Sequence, residues 1–132
     1  MGKIISIVNQ KGGVGKTTTT INLAASLAMY KQKVLIIDYD QQANATIGLG
    51  INREDILFDV TDFFTHIGLL RKAIIKTKVE NLHLIASSIK LANIEDSLYM
   101  IPDKEYLLKR KLDMIKNEYD FILIDCPPSL GL

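Results

Sequence analysis

Four short apolar runs punctuate the chain: Ile4 to Val8, Val34 to Ile37, Leu82 to Ile85 and Phe121 to Ile124. None alternates polar with apolar residues, and β-branched side chains are frequent in them. That pattern belongs to strands covered on both faces, which occur in parallel sheets. Between the first two runs lies TTTTINLAASLAMYK, where Ile21, Ala24, Ala25 and Ala28 share one helical face. Alanines on that face let a helix approach a sheet closely. Strand, loop, helix and strand then form a βαβ unit with a right-handed crossover, so the chain reads as α/β.

The middle is less regular. Residues 56 to 77, ILFDVTDFFTHIGLLRKAIIKT, predict two short helices broken near Gly68, with Phe63-Phe64 anchoring one of them to the core. SSIKLANIEDSL predicts another helix, capped by Ser87 or Ser88. Further on, Pro102 and Asp103 mark a helix start, with Tyr106, Leu107, Leu112 and Ile115 on its buried side. Lys109-Arg110-Lys111 has acidic residues on both sides and reads as a solvated helix face.

Composition narrows the class. At 132 residues the chain fits one domain covering 1–132. An apolar fraction of 48% and a charged fraction of 23% suit a soluble globular protein, and a net charge of +1 gives no bulk reason to bind nucleic acid. Cys126 is the single cysteine and has no internal disulfide partner; its position predicts a small buried thiol. No apolar run approaches the roughly 18 residues of a membrane span, and MGKIISIVNQ lacks a signal peptide's apolar stretch. A cytoplasmic protein with no membrane contact is expected. His66 and His83 lack metal-ligand spacing and read as core or surface residues.

The chemistry concentrates in NQKGGVGKTTTT, which follows the first strand and opens the first helix. A phosphate-binding loop of the form G-x-x-x-x-G-K-(S/T) would need glycine at position 10, where Gln10 stands. Gly12, Gly13 and Gly15 nevertheless allow the backbone to turn its N–H groups toward an anion, and the helix adds its positive end. Lys16 is then the candidate for the β- and γ-phosphates, and Thr17 for a magnesium ligand. Acidic groups at strand ends complete such sites. Asp38 and Asp40 follow the second strand, and Asp125 follows the fourth.

Lys11-Gly12-Gly13-Val14-Gly15-Lys16-Thr17 resembles the deviant Walker A motif, KGGxGK(S/T), of the ParA/MinD family of ATPases. Asp38-Tyr39-Asp40-Gln41-Gln42-Ala43-Asn44-Ala45-Thr46 resembles that family's D-x-D-P-Q-G-N-A-T segment, and Asp125-Cys126-Pro127-Pro128-Ser129 its Walker B end. The second segment favours the ParA/Soj partition branch. Gln41 and Ala43 depart from the family's usual proline and glycine.

The resemblance implies a P-loop NTPase-type parallel sheet flanked by helices, of which this chain is the amino-terminal part through Walker B. It implies ATP and Mg²⁺ as cofactors, with Gly12, Gly13, Val14, Gly15, Lys16, Thr17 and Thr18 binding nucleotide. Thr17, Asp38 and Asp125 would serve the metal, and Asp40 would orient water. Lys11 would reach the partner's phosphates across an ATP-dependent homodimer. A ParB-type partner, non-specific DNA and a nucleoid location are implied for the whole protein. Two alternatives stand beside the partition ATPase: a nucleotide-binding or interaction module without hydrolysis, and a MinD-like membrane-linked regulator.

Overall fold

The computed structural model describes residues 3–8, 14–39, 42–65, 71–87 and 104–126. All four apolar runs form strands: β1 (Lys3–Val8), β2 (Val34–Asp38), β4 (Leu82–Ile85) and β5 (Phe121–Cys126). A short β3 (Ile74–Lys76) completes a five-stranded sheet of order β1-β5-β2-β4-β3. The pairings β1–β5, β5–β2 and β2–β4 are parallel; β3 runs antiparallel to β4. β5 thus lies between the two strands of the first βαβ unit.

Helices cover both faces. α1 (Val14–Met29) and α2 (Asn44–Gly48) lie on one side, where Ala24, Ala28 and Ala45 meet Val34, Ile36, Leu84 and Leu123. α3 (Val60–Thr65) and α4 (Lys104–Asp113) lie on the other, where Phe63 and Leu112 meet Leu35, Ile37, Ile85 and Ile122. Alternate residues of β2 therefore serve different cores, which explains why every one of its positions is buried and why its sequence does not alternate. Phe63 is wholly buried, as expected of the anchor, and a side chain of its size contributes about 2–3 kcal/mol by leaving water.

Local signals fix the short helices. Asp59 precedes α3: its N–H donates to Asp62 Oδ2 at 3.0 Å, while the Asp62 N–H donates to Asp59 Oδ1 at 3.2 Å. This reciprocal box satisfies donors that a helix start leaves open. α2 ends in a left-handed glycine, Gly50, at φ 81°. The Gly50 N–H donates to Ile47 and the Ile51 N–H to Thr46, the paired closure of a Schellman turn.

Two expectations need correction. Ile74–Lys76, assigned above to a helix, is a strand, because pairing with β4 outweighs a helical pattern over so short a stretch. Within the basic cluster, Lys109 and Arg110 are exposed, but Lys111 is only 5% exposed. Its burial, together with the charge of Arg110, lowers its pKa. Leu112 and Ile115 are buried as expected, with Ile115 two residues beyond the end of α4. The helix expected after Ser87 and the break at Gly68 lie outside the described residues, as do His66, Pro102 and Asp103.

Candidate functional site

Three segments singled out in the sequence reach the same end of the sheet. Ile7 of β1, Asp125 of β5 and Asp38 of β2 stand in one row of the register. Neighbouring strands are spaced about 4.8 Å apart, so the two aspartates are lateral neighbours. Both fall on the α1/α2 side by the strand alternation, and both are wholly buried. The Tyr39 N–H donates to the Asp125 carbonyl at 3.0 Å, extending the β2–β5 ladder past the row. Such carboxyl ends are where open α/β sheets hold ligands.

α1 begins at Val14, within the glycine-rich segment. The N–H groups of its first three residues, Val14, Gly15 and Lys16, have no partner within the helix, and the positive end of its dipole lies there. No acidic residue occupies this first turn to compete with an anion. Thr18 is exposed. Lys11, Gly12, Gly13, Asp40 and Gln41 lie outside the described residues.

Asp38 is held by a residue that had no assigned role. The Thr46 N–H and the Thr46 hydroxyl both donate to Asp38 Oδ2, at 2.9 and 2.6 Å. Two donors thus meet on one buried carboxylate oxygen and satisfy it away from water. The Ser87 N–H, at the end of β4, donates to Thr46 Oγ1 at 3.1 Å. Sequence reading missed Thr46 as an Asp38 partner and took Ser87 as a helix cap. The only signal was that Thr46 belongs to the same motif segment as Asp38. Ala43, where the resembling family commonly has glycine, sits at φ 56° and ψ 38°. An alanine pays roughly 1–2 kcal/mol in this left-handed region, which glycine would not.

The donor set suits the magnesium implied by the resemblance. Magnesium prefers oxygen and is usually bound by one or two carboxylates plus substrate phosphates. Asp38 and Asp125 supply hard oxygens in that number. Among the described residues, no group of three His, Cys, Asp or Glu stands ready to hold a metal without such phosphates.

A cleft of about 560 Å³ opens at the opposite end of the sheet, lined by Lys31, Lys33, Asn81, His83, Tyr119 and Asp120 among others. It lies at the amino ends of β2, β4 and β5 and is separate from the aspartate row. There His83 Nδ1 and the Tyr119 hydroxyl are 2.8 Å apart. Burial, then the charges of Lys76 and Lys33, lower the His83 pKa; burial raises that of Tyr119 to about 12. Glu118, on the rim, is ion-paired with Arg71.

A family model described as AAA domain matches residues 2–132. The chain belongs to the AAA domain family. It is similar to the sporulation initiation inhibitor protein Soj of Bacillus subtilis (strain 168), at 51% identity over 100% of this chain and 52% of that protein. It is 46% identical to the chromosome-partitioning ATPase Soj of Treponema pallidum (strain Nichols), over 100% of this chain and 51% of that one. The crystal structure of cobyrinic acid a,c-diamide synthase from Mycobacterium smegmatis, with bound ATP analog and magnesium, superposes with a TM-score of 0.89 at 35% identity, covering 99% of this chain and 53% of that one. The ParA/Soj resemblance and the P-loop ATPase fold therefore hold. The chain spans about half the length of the curated relatives it matches.

Proposed function

We propose that this chain carries the Mg-ATP site of a partition ATPase that acts as an ATP-dependent dimer. The observation that carries the reading is the row of buried Asp38 and Asp125 beside β1, the strand that leads to the amino end of α1. Carboxylates at the carboxyl end of a parallel sheet can serve a cation, and a helix start one strand away suits the anion such a cation accompanies. The chromosome-partitioning name of the Treponema relative supports the biological role.

Bound Mg-ATP supplies the transferable phosphoryl group and neutralises charge on its oxygens. Gly12, Gly13, Val14 and Gly15 present backbone N–H groups to the phosphates, joined by that of Lys16, and Thr17 and Thr18 complete the nucleotide-binding set. Lys16 contributes a point charge, and Thr17 a hydroxyl to the metal. Asp38 and Asp125 support the metal shell, and Asp40 orients the attacking water. Lys11 serves the partner subunit's nucleotide, setting positive charge against the negative charge on the transferring phosphoryl group. In the whole protein, a ParB-type partner and non-specific DNA complete the cycle.

Titration with a fluorescent ATP analogue in Mg²⁺ tests the reading. Lys16→Ala should weaken binding at least about tenfold, the loss of one well-placed charge-assisted contact. Asp40→Ala should bind like the parent. Equal affinity in the parent and Lys16→Ala would refute the site.

A further inference from the structure

The hydrogen bonds at Thr46 have a direction. A hydroxyl carries one proton, and here its oxygen already accepts from the Ser87 N–H. The proton points the other way, to Asp38 Oδ2 at 2.6 Å. The backbone N–H of the same threonine ends on the same oxygen. The chain Ser87 N–H to Thr46 Oγ1–H to Asp38 Oδ2 thus joins the ends of β4 and β2 through α2. Asp38, Thr46 and Ser87 are all wholly buried, so water does not compete for these bonds.

A planar carboxylate held at one oxygen by two donors has little freedom to rotate. Its second oxygen then keeps a fixed direction. Groups that hold a metal-associated carboxylate in this way typically change metal affinity 10–100-fold when removed. We propose that Thr46 is a positioning residue of the Mg-ATP site, fixing the Asp38 carboxylate through its hydroxyl and N–H while the Ser87 N–H orients that hydroxyl. The inference rests on the reading of Asp38 as a support of the magnesium shell. It adds a residue whose effect is felt through magnesium rather than through the nucleotide.

Two variants separate this role from simple packing. Thr46→Val keeps the shape and the backbone N–H but removes the hydroxyl; Thr46→Ser restores it. ATP-analogue affinity is measured in the 132-residue chain in EDTA and over a Mg²⁺ series. For Thr46→Val, affinity in EDTA should stay within about twofold of the parent, while the Mg²⁺ concentration giving half the enhancement rises about tenfold. Thr46→Ser should recover most of that shift. Equal losses with and without Mg²⁺, or no shift at all, would reduce Thr46 to a structural tie and overturn the proposal.

Amide exchange in the parent protein gives a second readout that does not depend on a variant folding. Mg-ATP should slow exchange at Thr46 and Ser87 more than ATP in EDTA does, and identical exchange in the two conditions would overturn the proposal. A parent chain that binds no nucleotide would overturn the site reading and the positioning role together. A parent that binds Mg-ATP, with Thr46→Val indistinguishable from it, would overturn the positioning role alone.

Discussion

At position 83 a half-buried histidine in β4 meets the Tyr119 hydroxyl on one side and the charges of Lys76 and Lys33 around it. Its folded pKa lies below the ordinary value of 6.5. As pH falls through 6.5 the unfolded chain takes up the proton first, so the stability His83 contributes above that pH is lost on the acid side, down to the lower folded pKa. The urea midpoint should fall between pH 7.5 and 5.5, and His83→Gln should shrink the difference; an undiminished difference would clear His83. Tyr119, raised to about 12, keeps its proton throughout this range. At this scale Asp38 and Asp125 stood out in the sequence as acids at the ends of apolar runs within the resembling motifs, and the register sets them side by side. Thr46 and Ser87 were silent because their bonds span 8 and 41 residues and exist only once β2, α2 and β4 have met.

Among the elements, α2 depends on its ends more than on its five residues. Gly50 holds φ 81° with open space where a Cβ would stand, so Gly50→Ala meets no clash and costs only its left-handed conformation. A loss of about 1 kcal/mol is expected. Denaturant unfolding at constant m-value would measure it; unchanged stability would mean that the turn relaxes to another form. The four long strands were legible because burial on both faces removes polar residues from them, and α1 because its small residues recur at helical spacing. β3 was not, because three residues carry no period and Ile74-Ile75 suit a helix equally well. The start of α3 could have been read from Asp59 and Asp62, three apart ahead of an apolar pair.

For the whole molecule, β1 is an edge of the described sheet, and Ile4 and Ile5 are 40% and 37% exposed. Apart from Lys3, the strand carries neither charge nor proline to discourage pairing with another chain. The 132-residue chain by itself is therefore expected to self-associate with rising concentration in sedimentation velocity, and Ile5→Lys to reduce this; a monodisperse monomer up to high concentration would contradict the expectation. The sheet also separates two polar ends, the aspartate row beside α1 and the cleft near His83, and only the first is assigned nucleotide. Hydrogen exchange across the chain, with and without an ATP analogue and Mg²⁺, tests that assignment most directly. Slowed exchange should gather in the first turn of α1, at Asp38 and through α2, and at the end of β5. Slowing confined to the amino-end cleft around Lys31, Asn81 and Tyr119, or no slowing anywhere, would contradict it.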